Sequence, residues 1–330
     1  MKSPGSIIII GSILVVFAAT FATVLWPTYT IEHKPSATWR PLGNIEERGR
    51  ELYIANGCTY CHSQYVRSQD WDIGADRIAK AGDYFKQSPA LLGSERTGPD
   101  LAEEGGQHSD DWHLAHFTNP RVTRPRSLMP RFAYEGPDNL TALTAYLQSL
   151  GGKSADKRVA AQKQWHVEAM AAFKQGPDAN IAWMHSRVPL TWRAMPTASP
   201  ITHASISRGE KTYQDYCMGC HGPIGDGNGP AAEFLEPKPV NFTTLKRHLI
   251  DGKYIGGIIY YQVMNGITGT AMPYFKTELE SAKIWDVTNF IEHSFINHHD
   301  DKYPSEAIPA AYEGAAAPDM DARPGKETVR

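Results

Sequence analysis

Two short stretches carry residue types and a spacing that could do chemistry: Cys58-Thr59-Tyr60-Cys61-His62 and Cys217-Met218-Gly219-Cys220-His221. Together they hold all four cysteines of the 330-residue chain, which leaves none for a structural disulfide. A Cys-x-x-Cys-His can be a zinc half-site, a redox dithiol or a covalent haem anchor. Zinc needs four converging ligands, and zinc ribbons keep their two cysteine pairs roughly 15–20 residues apart. Cys61 and Cys217 fall far outside that spacing. A redox dithiol expects a strand–turn–helix context, whereas the flanks here read as helical and the adjacent histidine would be idle. Haem attachment uses every residue of the motif: two thioethers, and an imidazole that ligates iron from one face. The sequence therefore predicts two haem c groups, one on Cys58, Cys61 and His62 and one on Cys217, Cys220 and His221.

An electron-carrying haem needs a ligand on its other face. Met129-Pro130 follows the first motif and Met272-Pro273 the second, and both stand before a closing amphipathic helix. A thioether ligand stabilises ferrous iron and raises the potential, so Met129 and Met272 are the expected sixth ligands. A third Met-Pro, Met195-Pro196, has no haem motif beside it. His108, His113 and His116 compete at the first haem, and His248 and Met264 at the second. Gly98-Pro99 and Gly229-Pro230 each offer a proline carbonyl that could accept the Nδ1–H of an anchoring histidine and fix its tautomer.

The elements around these residues repeat. Arg48-Gly49 precedes Tyr53 and Arg208-Gly209 precedes Tyr213 at the same offset, and helix caps are expected at Asn44-x-x-Glu47 and Ser207-x-x-Glu210. Closing helices are expected over 140–150 and 279–295. The glycines predict close helix crossings, with Tyr146 and Trp285 opposite. Each module thus reads as helix, haem anchor, variable middle, axial ligand, closing helix.

Ahead of both lies Ile7–Trp26, an uncharged run long enough for a helix spanning about 30 Å, a bilayer core. Trp26 and Tyr29 stand where an interfacial aromatic belt would lie. An uncleaved anchor is the favoured reading over a signal peptide, and Lys2 alone marks its short flank. The net charge of −3 gives no argument for nucleic acid. No nucleophile–base pair, phosphate loop or paired-carboxylate site stands out, so the chemistry is the cofactor's.

Residues 49–151 resemble the membrane-anchored monohaem cytochrome c subunit of cbb3-type haem-copper oxidases. The resemblance rests on NGCTYCHSQYVR, SERTGPDLAEEGGQHSDDWHLAHFTNPR, SLMPRF and LTALTAYLQSLG. It implies that Cys58, Cys61 and His62 bind haem c with Met129 axial. Arg67-Ser68 departs from the family's usual Arg-Pro, which puts the shape of that loop in question. Residues 205–295 resemble a class I cytochrome c through CHGPIGDGNGPAAEFLEPKPVNFT and MNGITGTAMPYF, with Cys217, Cys220, His221 and Met272 carried over. An appended cytochrome departs from the monohaem family and could replace a separate dihaem subunit.

The expected fold is mainly α: one N-terminal transmembrane helix and two class I cytochrome c domains. The expected divisions are an anchor at 1–29, a first cytochrome domain at 30–152, a helix and Pro-rich linker at 153–204, a second cytochrome domain at 205–302 and a tail at 303–330. Trp165, Trp183 and Trp192 favour a docked linker over a free tether. Arg121, Arg124, Arg126 and Arg131 are candidates to pair with haem propionates or with acidic groups of a partner.

The expected role is a dihaem electron-transfer subunit in the inner membrane, its haem domains periplasmic. It would pass electrons from a soluble cytochrome or reductase to a membrane-embedded haem-copper catalytic subunit. The alternatives are the cytochrome subunit of a nitric oxide reductase, a dihaem peroxidase and a free tethered shuttle.

Overall fold

The computed structural model describes residues 4–30, 34–73, 77–93, 95–199, 201–245, 249–250, 253–254 and 256–297. Lys2, His248 and the tail at 303–330 lie outside them. Two compact units are present: residues 1–39 with 80–90, and residues 40–79 with 91–330.

In the first unit the uncharged run forms one helix, Gly5–Thr30, long and apolar enough to cross a membrane. A π-helical turn at Phe21–Leu25 interrupts it, and Thr23 and Thr28 return their hydroxyls to carbonyls four residues back. None of that span is buried against protein. The segment at 34–39 pairs with the loop at 80–90. Ser36 N–H donates to Gly82 O at 3.0 Å, and Trp39 meets Phe85 edge-on at 5.2 Å.

The second unit contains both haem-motif modules and the segment between them. Helix α1 (Asn44–Ala55) carries the first glycine, followed by the first motif, α2 (Asp110–Thr118) and the closing helix α3 (Gly136–Ser149). Helices α4 (Lys153–Gln175) and α5 (Pro177–Ser186) form the connection. The second module runs from α6 (His203–Tyr216) through α7 (Gly257–Asn265) to the closing α8 (Ser281–Ile291). A two-residue antiparallel ladder pairs Leu249 with Tyr254 and Ile250 with Lys253.

The same crossing organises both modules. A Cβ on Gly49 would lie 1.9 Å from Ala142 O and 2.7 Å from Tyr146 Cβ. One on Gly209 would lie 2.0 Å from Asp286 O and 2.7 Å from Phe290 Cβ. Backbone meets backbone at these points, which only glycine permits. The expected partner Tyr146 is present, but in the second module Asp286 and Phe290 stand where Trp285 was expected. Trp285 faces the other way and stacks on Tyr260 at 4.2 Å. One turn further along, Tyr53 packs on Tyr146 at 5.3 Å and Tyr213 on Phe290 at 5.4 Å.

Both caps differ from expectation. Gly43 caps α1, its N–H held by Glu46 Oε2 at 2.7 Å. Helix α6 begins at His203, because Thr202 and Ser205 satisfy each other's backbone N–H at 3.0 and 3.1 Å. This reciprocal box forms more than a turn upstream of Ser207, which lies inside the helix.

The connecting segment packs on both modules. Near the start of α4, Arg158 donates to Gly105 O at 2.7 Å and pairs with Glu103 at 3.2 Å. Further along, Gln162 donates to Thr270 O at 3.1 Å and accepts from Gly269 N–H. Trp192 stacks flat on Tyr260 at 5.4 Å. Gly269 (φ +95°) sits against Trp165, whose carbonyl carbon would lie 2.5 Å from an added Cβ. Gly269→Ala is expected to cost about 1–3 kcal/mol through overpacking and an unfavourable φ. Limited proteolysis should then cut the connection faster; an unchanged digestion pattern would count against this docking.

Candidate functional site

Each motif is a tight turn leaving the first helix of its module. In the first copy Gly57 takes φ +67°, and His62 N–H donates back to Cys58 O at 3.0 Å. In the second, Cys217 ends α6 and His221 N–H donates to Cys217 O at 2.9 Å.

The histidines are held at Nδ1. That of His62 lies 2.9 Å from Pro99 O, the expected proline carbonyl. That of His221 lies 3.2 Å from Val240 O, not from Pro230. Gly229 packs under the motif itself, where a Cβ would come within 2.4 Å of Gly219 O. With the Nδ1 proton given to a carbonyl, Nε2 is left as the lone-pair nitrogen, the form that ligates a metal. Burial pushes His62 below its usual pKa and His221 down to about 4, so both imidazoles stay neutral. Gly98 lies against the His62 ring, where an added Cβ would be 2.2 Å from Cε1. Phe242 stacks on His221 at 4.4 Å.

A cavity of about 390 Å³ in the second module is lined by Cys217, Cys220, His221 and Met272. Its other walls are mostly apolar and include Leu235, Val240, Phe242, Val263 and Phe275. Burial raises the Cys217 thiol to about 12 and the Cys220 thiol to about 11. Reactive dithiols need depressed thiol pKa values, so this environment disfavours that reading and suits thiols consumed in thioethers. Residues and cavity fit a covalently held haem: two thiols, a neutral imidazole with Nε2 available and a thioether share one apolar pocket.

Met264, the competing methionine, packs against the core of this module as Met272 does but is not among the residues that line the cavity. Met184 and His185 of α5, which sequence reasoning did not single out, also line the cavity. The only available signal for them was the tryptophan content suggesting a docked linker. In the first module Met129 is partly buried and packs, with Cys58, against the core around Tyr146 and Phe132. Two of the histidines that competed with it are held at Nδ1 by other groups. His108 Nδ1 lies 2.6 Å from Glu104 Oε1, and His116 Nδ1 lies 2.6 Å from Thr123 Oγ1.

The residues after the first motif turn inward. Ser63, Gln64 and Val66 are buried. Gln64 bonds Tyr146 Oη at 3.2 Å, and Asp100 accepts from Ser63 Oγ at 2.5 Å and Tyr65 N–H at 2.9 Å. Arg67 clasps Asp70 through Nε (2.8 Å) and Nη2 (2.9 Å), and Arg96 adds a further bond at 2.9 Å. Most of this stretch therefore serves its own module.

Two of the four arginines near Met129 reach the second module. Arg124 pairs with Glu278 at 2.7 Å and lies over the Tyr216 and Phe275 rings at 5.4 and 5.0 Å. Arg126 pairs with Asp215 at 2.8 Å. Their acidic partners are in this chain. Arg121 donates to Met129 O at 3.2 Å and Arg131 to Asn119 Oδ1 at 3.1 Å. Trp112 completes the junction: it stacks on His108 and His116, packs with Ala231, Leu235 and Ala271, and lines the second cavity.

The mainly helical fold and two family matches identify cytochrome c domains, a class whose haem is covalently bound. Residues 2–137 match the family described as cytochrome C oxidase, mono-heme subunit/FixO, and residues 204–291 match cytochrome C oxidase, cbb3-type, subunit III. The chain is thus similar to the mono-heme FixO subunit over residues 2–137 and carries a second cytochrome c domain over residues 204–291. FixO-type subunits partner with membrane oxidase subunits, and the helix Gly5–Thr30 agrees with a membrane protein.

A curated relative, a nicotinate dehydrogenase subunit of Pseudomonas putida, is 29% identical over 100 residues. Those residues are 28% of this chain and 8% of that protein, so the chain spans only a small part of its length. A solved structure, the Kuenenia stuttgartiensis reducing HAO-like protein complex Kustc0457/Kustc0458, aligns over 74% of this chain and 94% of its own at 19% identity. The TM-score is 0.25, too low to inform the fold.

Proposed function

We propose that the chain is a dihaem c electron-transfer subunit of a membrane respiratory complex. It takes electrons from a periplasmic donor and delivers them to the catalytic subunit of a cbb3-like oxygen reductase. One observation carries this reading. The apolar helix, the first Cys-x-x-Cys-His and Met129 all fall within residues 2–137, the stretch that matches the mono-heme oxidase subunit.

When bound, haem c supplies reversible one-electron iron chemistry. The residues that would hold it are Cys58, Cys61, His62 and Met129 in the first module and Cys217, Cys220, His221 and Met272 in the second. The Pro99 and Val240 carbonyls orient the two imidazoles, and the apolar walls around Met272 exclude water. The Arg124 and Arg126 pairs, with α4 along both modules, hold the two sites in one body. Both modules then lie on the periplasmic face, tethered by the single helix.

Purification in mild detergent tests the reading. A co-purifying partner with haem b and copper is the expected result; one with haem and non-haem iron would point to a nitric oxide reductase. Carbon monoxide should leave the reduced spectrum essentially unchanged, because Met129 and Met272 would close the sites to an added ligand. A large shift would favour a peroxidase, which needs an open haem.

A further inference from the structure

Glu104, His108 and His113 form a buried cluster that the haem-binding residues do not use. Glu104 and His108 stand one turn apart in the loop before α2, and His113 projects from α2 toward them. His108 Nδ1 lies 2.6 Å and His113 Nε2 3.5 Å from the same oxygen, Glu104 Oε1. All three candidate ligand atoms lie within 4.8 Å of one another. Glu104 is 6% and His113 2% exposed. The Nε2 of His113 is sealed from solvent, has no hydrogen-bond partner and faces the carboxylate at a distance too long for a hydrogen bond. A buried, unsatisfied ring nitrogen is costly, and a cation between it and the carboxylate would remove that cost.

We propose that Glu104, His108 and His113 bind a divalent transition-metal ion of the zinc class. Zinc–nitrogen and zinc–oxygen bonds of roughly 2.0–2.2 Å put neighbouring tetrahedral ligand atoms about 3.3–3.5 Å apart. The His113–Glu104 separation already has that value. The His108–Glu104 pair opens by less than about 1 Å as the metal replaces the proton between them, and that proton leaves to solvent. Two imidazoles and one carboxylate suit zinc and its neighbours in the first row, not calcium or magnesium, which prefer oxygen donors. Three protein ligands leave a fourth position for water.

The rings are already fixed. His108 stacks on Trp112 at 3.8 Å, and His113 lies between His108 and Phe117. The loop is pinned by Gly105 N–H to Leu150 O at 2.9 Å and Gln107 N–H to Glu104 O at 2.9 Å. The same stretch forms the first-module side of the junction, where Asp111 Oδ2 accepts Glu236 N–H at 2.9 Å and Trp112 packs on Leu235. A metal here would steady the contact between the modules, and the inference stands apart from the electron-transfer reading.

The test uses the full-length holoprotein in detergent, dialysed against chelator, incubated with zinc chloride alone and desalted. Metal analysis should return about one zinc per chain. The zinc-edge X-ray absorption spectrum should show only nitrogen and oxygen neighbours, with imidazole scattering. Glu104→Gln and His108→Gln should each lower zinc affinity by at least about tenfold, since even supporting residues around a metal have effects of that size, with the haem spectrum unchanged. No zinc retained by the unmutated protein would overturn the proposal. So would a spectrum with sulfur neighbours, which would place zinc at cysteines, or zinc retention unaffected in both variants, which would mark an unspecific surface ion. Because the spectrum is taken on unmutated protein, misfolding of a variant leaves the test decisive.

Discussion

Gly49→Ala is expected to destabilise the first module by at least about 3 kcal/mol. The added methyl would sit 1.9 Å from the carbonyl oxygen of Ala142 and 2.7 Å from Tyr146 Cβ. Neither obstacle is the free end of a flexible side chain. Relief requires α1 and α3 to move apart, which would open the edge-on Tyr53–Tyr146 pair and the core around Leu143 and Leu147. Overpacking usually costs about 1–3 kcal/mol, and a clash of backbone with backbone belongs at or above the top of that range. Denaturant titration followed by far-UV circular dichroism, together with the haem content of the purified protein, checks it. Gly11→Ala is the control, since an added Cβ there meets nothing within 4 Å and gains helix propensity. If Gly49→Ala proves as benign as Gly11→Ala, the close crossing is wrong.

That crossing shows how much of the molecule was legible in the sequence. The Gly-to-Tyr repeat announced two helix pairs, because a helix that approaches another at backbone contact leaves a glycine in the code. What lies opposite the glycine is a matter of helix rotation. The repeat could not tell Trp285 from its neighbour Asp286, one residue and about 100° away around a helix of 3.6 residues per turn. The His62–Pro99 contact was legible because Gly98-Pro99 follows its motif through a loop that must return beneath the ring. The Val240 carbonyl was not, since it comes from a loop with no comparable signal. The arginines near Met129 were visible as a charge cluster, but only the folded chain reveals that Arg124 and Arg126 spend their charge on Glu278 and Asp215. A contact between distant segments depends on how two modules dock, and residue types alone do not encode that. Glu104, His108 and His113 illustrate the same point from another side. The histidines were weighed as rivals for iron, and the glutamate that stands beside two of them was read as part of a family block.

Met272→His is expected to keep haem in the second module and to lower its reduction potential by about 100 mV or more. Axial ligands set haem potentials over about 0.8 V, and exchanging a thioether for a more basic imidazole favours the ferric state. The argument rests on Met272 lining the same cavity as Cys217, Cys220 and His221. Met184 lines that cavity too, so a methionine on the cavity wall is not by that fact a ligand. Met184 is 7% exposed and comes from the connecting helix α5, where a flexible apolar side chain fills a gap between segments. Met184→Leu keeps bulk and removes the sulfur, and it should leave the potential within a few tens of mV, a small part of the span that axial ligands cover. Met129→His is the matching variant for the first site and should lower the other potential, with slower oxidase turnover in the assembled complex. A spectroelectrochemical titration of the three variants separates the cases. Two potentials that fall independently, one in each histidine variant, are the expected pattern. If Met184→Leu moves the second potential and Met272→His does not, the ligand comes from the connecting helix. The docking of α5 over the second cavity would then be part of the redox site itself.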